Sequence, residues 1–146
     1  METNKCFLTE AIIQSNRDPS QVYLNVSLSK LKRSKGYPYL LIIQSTTELF
    51  TKLMLYPINK DKILKVSLWG INVPDEIFNH LSKMLQDYDV IHTSGLCMDK
   101  NNRLLFECYL NLNFSDKKSE SLKFLLDKIR NKFKEMRLEE IELIRS

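Results

Sequence analysis

The chain has 146 residues, of which 43% are apolar and 27% charged, and its formal net charge at pH 7 is +4. These values are close to globular averages, so they exclude wholesale disorder and favour a single compact unit over residues 1–146. Three scattered cysteines, Cys6, Cys97 and Cys108, are too few for a disulfide framework. No apolar run approaches the roughly 18 residues of a membrane span, and no signal-like segment stands at the start. We therefore expect a cytoplasmic protein that does not enter a membrane.

The first half of the chain mixes helix and strand signals. Apolar residues at helical spacing over 8–16 predict a helix. Residues 22–31 alternate apolar and polar side chains, which is typical of a half-buried strand, and the apolar run 39–43 predicts a strand buried on both faces. The segment 46–56 fits either a helix or a third strand. Its capping-box spacing and the following Pro57 slightly favour the helix.

The second half, residues 63–144, predicts elements in the order β-α-β-β-α-β. The predicted strands cover residues 63–69, 90–97, 104–114 and 138–144. Two amphipathic helices lie between them, with apolar stripes of Ile77, Leu81, Met84, Leu85 and Tyr88 in the first and of Leu122, Leu125, Leu126, Ile129, Phe133 and Met136 in the second. This order is the split βαβ, or ferredoxin-like, arrangement, an α/β (α+β) fold with helices on one face of an antiparallel or mixed sheet. The side chains expected in its core are Leu81, Leu85, Leu125, Ile129 and Phe133.

A tandem organisation is an alternative that rests on element order. If 46–56 is helical, the order α-β-β-α-β occurs twice, over 8–69 and 74–144. No residue-level repeat accompanies this order, and no linker-like segment separates the halves. We therefore expect one cooperative unit, with 8–69 and 70–146 as possible sub-units of a degenerate tandem.

The sequence argues against the common kinds of active site. Its only glycines are Gly36, Gly70 and Gly95, so a dinucleotide fingerprint or a phosphate loop is excluded. Its only histidines, His80 and His92, do not combine with the cysteines in a metal-motif spacing. No nucleophile motif is present. We expect a protein that is not an enzyme and that holds no metal or other cofactor.

Basic residues cluster in two places. One cluster surrounds a predicted hairpin loop over 32–38 and is followed by two aromatic residues, the whole set being Lys30, Lys32, Arg33, Lys35, Tyr37 and Tyr39. Such a tip fits a phosphate backbone and unpaired bases, but it also fits a solvated loop or an acidic partner protein. The other cluster is residues 117–137, with eight basic and three acidic side chains. Not all its lysines can face the acidic first helix, so part of this basic surface should be exposed.

A third candidate is the loop WGINVPD at 69–75, which joins a predicted strand to a helix. Free N–H groups at a helix start can receive an anionic or amino-acid ligand, and the candidate residues here are Gly70, Asn72 and Asp75. The loop resembles the ligand loop of ACT-type regulatory domains, which have the same element order. Where those domains have Pro-Gly, this chain has Pro74 followed by Asp75. The resemblance implies a domain that senses a small molecule.

The sequence thus supports three hypotheses for function. The first is a non-enzymatic interaction or accessory module that associates with a protein, either as a homodimer or with another subunit, because open sheet edges commonly pair. Its strands 22–31 and 104–114 alternate most strongly and motivate this expectation. The second is an RNA- or DNA-binding accessory protein that uses the basic hairpin loop and the basic C-terminal helix on single strands. The third is the ACT-like sensor.

Overall fold

The computed structural model describes residues 9–15 and 37–144, which form eight strands and two α-helices. The strands are β1 (Glu10–Ser15), β2 (Tyr39–Thr46), β3 (Thr51–Ile58), β4 (Lys62–Ile71), β5 (Val90–Thr93), β6 (Cys97–Met98), β7 (Arg103–Leu110) and β8 (Glu135–Glu142). The helices are α1 (Asp75–Leu85) and α2 (Lys117–Ile129). Two helices combined with a three-stranded and a five-stranded antiparallel sheet confirm the α/β (α+β) class.

The chain divides into two compact units. Within the residues that the structure describes, the five-stranded unit comprises Thr9 and Ile63–Glu140, and the three-stranded unit comprises residues 10–15, 37–62 and 141–144. The expectation of a single cooperative unit stays a prediction.

In the three-stranded unit, strand order is β1-β2-β3 and both pairings are antiparallel. The helix predicted over 8–16 is wrong, because residues 10–15 form β1. Ile12 lies opposite Ile42 of β2, and Ile13 is completely buried. β-branched side chains such as these fit a pleated surface well, and the partner strand that decides the matter lies more than twenty residues further along the chain.

The slight preference for a helix over 46–56 is also wrong, and the third-strand alternative is correct. The hydroxyl of Thr47 accepts hydrogen bonds from the backbone N–H groups of Leu49 and Phe50, at 3.2 Å each. The segment with the capping-box spacing, Ser45 to Glu48, therefore leads into a tight turn instead of a helix. Pro57 is accommodated because β3 is an edge strand, where a missing N–H breaks no ladder. Neither of the two helices that the tandem alternative requires, at 8–16 and at 46–56, is therefore present.

In the five-stranded unit, strand order is β5-β7-β4-β8, and β6 also pairs with β7. Val90 of β5 lies opposite Leu110, and Cys97 of β6 lies opposite Leu105. β5 and β6 are therefore two parts of one edge, interrupted around Gly95, whose φ of 68° is left-handed. β7 lies between β4 and β5, the strands that α1 connects. The predicted strand 104–114 is hence central, not an edge, and ends at Leu110.

The core of the five-stranded unit lies between one face of its sheet and the two helices. Its buried members include Leu64, Val66 and Leu68 of β4, Phe106, Cys108 and Leu110 of β7, Phe78, Leu81 and Leu85 of α1, and Leu122 and Leu126 of α2. Of the side chains expected to be buried, Leu81, Leu85 and Phe133 are buried, but Leu125 and Ile129 are only partly buried. The inward face of α2 is centred on the i, i+4 pair Leu122 and Leu126 instead.

This helix face can be tested by truncation. Leu122→Ala should lower the free energy of unfolding by about 2–5 kcal/mol, because it leaves a cavity beneath α2. Leu125→Ala is the matched control: it removes the same atoms from a partly exposed site and should cost distinctly less. Urea unfolding followed by circular dichroism measures both. Equal losses at the two sites would show that α2 does not pack as described.

Candidate functional site

The basic hairpin loop predicted from the sequence is only partly described. Its cations lie outside the described residues, namely Lys30, Lys32, Arg33 and Lys35. Tyr37 is exposed just before β2, whereas Tyr39 is the first residue of β2, where it is half-buried opposite Ile58. A role for this loop stays a prediction.

The loop that follows β4 contains the second set of predicted residues. A Cβ atom added to Gly70 would lie 2.5 Å from Cγ2 of Val73, so the buried Val73 side chain already fills the space over the glycine. Asn72 has a left-handed φ of 53°, and Asp75 is the exposed first residue of α1. Close packing within the loop therefore accounts for the glycine. The ACT-like ligand role of Gly70, Asn72 and Asp75 stays a prediction.

The cysteines and histidines of the described chain differ in burial. Cys108 is buried in the core beneath the helices, and burial raises the pKa of its thiol to about 12. It is therefore protonated at neutral pH and unsuited to nucleophilic attack. Cys97 is half-buried on β6, His92 lies on β5, and His80 is exposed on α1.

Residues 117–137 form a basic surface on α2, the turn after it and the start of β8. Every cationic side chain of this segment is exposed, namely Lys117, Lys118, Lys123, Lys128, Arg130, Lys132, Lys134 and Arg137. The prediction that part of this basic surface would be exposed is therefore confirmed. The basic surface is open to solvent along its length.

Two exposed phenylalanines lie among these cations. Phe124, on α2, is 62% exposed, and the Nζ of Lys128 lies 4.4 Å from the centre of its ring. Phe114 is 39% exposed just before α2, and the Nζ of Lys123 lies 4.3 Å from the centre of its ring. Both are cation–π distances. The basic surface thus presents aromatic rings and positive charges side by side.

A cleft of about 560 Å³ lies between α2 and β8 and is called here the α2–β8 cleft. It is lined by Phe114, Lys123, Leu126, Asp127, Arg130, Met136, Arg137, Leu138 and Glu139. Its volume falls within the range of roughly 300–1,000 Å³ that small-molecule sites occupy. Three basic, two acidic and four apolar residues therefore line the cleft. Because side chains alternate along a strand, Arg137 and Glu139 point to the sheet face opposite that of Met136 and Leu138.

The charged groups of the cleft differ in how they are held. Arg130 donates from Nε to Oδ1 of Asp127 at 3.2 Å and from Nη1 to the carbonyl oxygen of Met136 at 3.2 Å, so it ties α2 to β8. Lys123, in contrast, has no carboxylate partner among the described residues and rests against Phe114. The carboxylate of Glu139 has neither a hydrogen bond nor an ion pair within 9–15 and 37–144.

Arg137, the third cation, is held in place by residues outside the cleft. Its Nε donates to Oε1 of Glu135 at 2.5 Å, and Trp69 donates from Nε1 to the other oxygen of Glu135 at 3.0 Å. Hydrogen bonds from Trp69 and from Arg137 hold the pKa of Glu135 below its usual value. The carboxylate is therefore ionised at neutral pH and holds Arg137 by charge as well as by geometry.

The structure also contains a buried ion pair that the sequence analysis missed. On the sheet face away from the helices, Nζ of Lys65 lies 2.5 Å from Oε2 of Glu107, and both residues are under 5% exposed. Lys65 also donates to the carbonyl oxygen of Thr9 at 2.8 Å, and the Thr9 hydroxyl donates to Oε1 of Glu107 at 3.1 Å. The same hydroxyl hydrogen-bonds to the Tyr109 hydroxyl at 2.8 Å. Because these residues are buried and bonded to one another, the arrangement indicates a structural role for the cluster.

A signal for the ion pair is present in the sequence. Lys65 and Glu107 each interrupt an apolar run inside a predicted strand, in LKVSL and LFECYL. A single charge in such a run is costly to bury unless a partner is near. The pairing of β4 with β7, which places Lys65 opposite Tyr109 and Ser67 opposite Glu107, is what brings the two charges together.

The ion pair predicts a non-additive response to mutation. Lys65→Met should destabilise the fold by about 3–5 kcal/mol, because it leaves the Glu107 carboxylate buried without a counter-charge. The double variant Lys65→Met/Glu107→Leu should recover most of that loss. Urea unfolding of the two single variants and the double variant measures the coupling. Additive losses would mean that the two charges do not depend on each other.

Two kinds of site are absent from the part of the chain that the structure describes. It contains no group of three or more histidine, cysteine or acidic residues placed to hold a metal ion. None of its helices is both long enough and apolar enough to cross a bilayer. In comparisons with known proteins, no protein-family model, no curated protein and no solved structure matches the chain.

Proposed function

We propose that this protein is a non-enzymatic accessory module that binds single-stranded nucleic acid through the basic surface of residues 117–137. The observation that supports the proposal is that cations and aromatic rings are exposed together on this surface. All eight cations are exposed, and Phe114 and Phe124 lie exposed among them with a lysine over each ring.

The cations suit the phosphate of a nucleotide, and the aromatic rings suit its base. Lysine and arginine neutralise phosphates and release their counterions, which gives affinity without regard to sequence. Exposed aromatic rings stack on unpaired bases, worth roughly 1–3 kcal/mol per base, and are less useful to a duplex whose bases are already stacked. A surface that only improved solubility would gain nothing from an exposed Phe124.

The strand order of the five-stranded unit supports a ferredoxin-like interpretation. β7 separates the two strands that α1 connects, as in a split βαβ arrangement. Because this fold carries many unrelated functions, it does not itself select nucleic acid. The proposal therefore depends on the surface chemistry of α2 and β8.

A salt series on matched charge variants tests the proposal. The affinity for a fluorescent single-stranded RNA oligonucleotide should fall steeply with salt. Lys123→Ala/Arg130→Ala/Arg137→Ala should weaken binding and reduce the slope of log K against log salt by about two units. The control Lys52→Ala/Lys83→Ala/Lys100→Ala removes the same charge from other exposed positions.

The control variant distinguishes binding at one surface from attraction by the net charge of the whole protein. If the two triple variants lose affinity equally, the attraction is a property of the whole protein and the proposal fails. Phe124→Ala adds an independent check, because it should weaken binding of a single strand with no change in charge or in salt slope.

A second candidate function, self-association, is favoured by the β5–β6 edge. Val90, Leu96 and Met98 expose apolar side chains there, between 39% and 66% of each residue. The occupant we propose is a second copy of the chain, because one edge can pair with itself across a two-fold axis without a second complementary surface.

Self-association predicts a dimer in sedimentation velocity at micromolar concentration. Met98→Lys, which places a charge on that edge, should shift the protein towards the monomer. Leu49→Lys is the control, since Leu49 is a 91% exposed apolar residue on the β2–β3 turn. A monomeric wild type, or equal effects of the two variants, would contradict dimerisation through β5–β6.

A further inference from the structure

We infer that the outer edge of β8 binds an extended acidic peptide of a partner protein, which adds to the five-stranded sheet as a further strand beside the α2–β8 cleft. This inference goes beyond the proposed function, because it assigns a protein partner to the cleft. It rests on the main chain of β8, on the shape of the cleft and on the charge of its α2 wall.

The first argument is the main chain that borders the cleft. Arg137 and Glu139 are among the lining residues, but their side chains point to the sheet face away from the helices. The hydrogen bond from Arg137 to Glu135 on that face agrees with this direction. What Arg137 and Glu139 contribute to the cleft is therefore the main chain of β8.

The second argument is that this main chain faces an open side. Among the described strands of the sheet, β8 pairs only with β4. The carbonyl oxygen of Met136 accepts a hydrogen bond from Arg130 of α2, whereas Leu143, an odd number of positions later, donates to Asp61 next to the start of β4. Because main-chain groups alternate along a strand, those of Leu138 point to the same open side as those of Met136. Extended peptides add to strand edges of this kind.

The third argument is the space that an added strand would use. The cleft of about 560 Å³ has apolar surface from Leu126, Met136 and Leu138. A strand paired to the outer edge of β8 directs alternate side chains to the helix side, and therefore into this space. Oε2 of Glu140 accepts a hydrogen bond from the N–H of Phe114 at 2.9 Å, which ties β8 to the segment before α2. The walls of the cleft are thus held in place before a peptide arrives.

The fourth argument is the charge of the α2 wall. The Nζ of Lys123 lies 4.3 Å from the centre of the Phe114 ring and has no carboxylate partner in the described chain. Arg130 donates to Asp127 and to the main chain of β8 from two of its five N–H groups. Positive charge on the wall opposite β8 matches a peptide that has carboxylates on the helix side, and it repels a basic peptide.

These arguments define a probe with a matched control. The probe is the capped pentapeptide Glu-Thr-Leu-Thr-Glu, which places its leucine and both carboxylates on one face and reads alike in either strand direction. The control, Thr-Glu-Leu-Glu-Thr, has the same composition and charge, but its carboxylates lie on the other face, where Glu135 and Glu139 outnumber Arg137. Isothermal titration calorimetry on the full chain should show about tenfold tighter binding of the probe.

Lys123→Ala should weaken binding of the probe about tenfold, because it removes the cation that meets a peptide carboxylate. Lys128→Ala is the matched control variant, since this lysine lies over Phe124 outside the lining of the cleft and should leave the affinity unchanged. Both lysines are exposed, and circular dichroism verifies that the variants fold alike. Equal losses in the two variants would mean attraction by the whole basic surface and would overturn the inference.

Pairing of main chains has its own readout. Successive N–H groups of a strand point to opposite sides, so methylating either the leucine amide or both threonine amides of the probe should abolish binding, and methylating the other set should not. Hydrogen exchange followed by NMR should show the Leu138 amide exchanging at least about tenfold more slowly in the complex. The Glu139 amide, which points towards β4, should change little.

The remaining outcomes decide which ligand the cleft receives. Equal binding of the probe and its control, no binding of the probe at millimolar concentration, or equal effects of the two methylation patterns would each overturn the added strand. Slower exchange at Leu138 with the single-stranded RNA oligonucleotide but not with the probe would also overturn it, and would assign the cleft to nucleic acid. Binding of the probe without any binding of RNA would refute the proposed function and support this inference.

Discussion

The register between β4 and β7 decides what lies on each face of the five-stranded sheet. With Val66 opposite Cys108 and Lys65 opposite Tyr109, one alternating set of apolar residues on each strand points towards the helices, including Leu64, Val66 and Leu68 on β4 and Phe106, Cys108 and Leu110 on β7. The alternate residues, including Lys65 and Glu107, point away from the helices. A shift of one residue would exchange the two faces and bring buried charges beneath α1 and α2. The Lys65–Glu107 pair penalises that shift strongly, because either charge alone would be buried without compensation.

The same register fixes the direction in which α2 presents its charges. Since Leu122 and Leu126 pack onto the sheet, the intervening positions Lys123 and Phe124 are turned outwards. β8 lies beside β4 at the sheet edge, and α2 ends close enough for Arg130 to reach the Met136 carbonyl. The basic surface and the α2–β8 cleft are thus consequences of core packing, which gives them a rigid support.

The two groups of charges in this unit have opposite relations to water. Lys65 and Glu107 are sealed, mutually satisfied and in no position to meet a ligand, so their contribution is to the specificity of the fold. Lys123, like the other cations of the basic surface, is exposed, and it lacks a carboxylate partner in the described chain, so its charge is available to a ligand. The exposed cations of the basic surface can therefore meet a ligand, whereas the buried pair cannot.

The local sequence pattern was sufficient to predict the type of a segment where the tertiary structure places that segment in the environment its pattern suits. The strand at 63–69, the helix after Pro74 and the turn before Arg103 all have the predicted type, and Asn102 in that turn has a left-handed φ of 57°. The exposure of the basic residues of 117–137 also follows from the sequence, because so many cations on one segment cannot all be buried.

Tertiary structure decided the elements and sites that depend on remote partners. Residues 10–15 and 51–58 carry helix-compatible patterns, but both pair with β2 and become strands, since a ladder of backbone hydrogen bonds outweighs weak helix propensity. Lys65 and Glu107 are 42 positions apart, and only the β4–β7 register makes them an ion pair. The α2–β8 cleft likewise arises from packing between two elements, and such packing has no counterpart in the local spacing of residues.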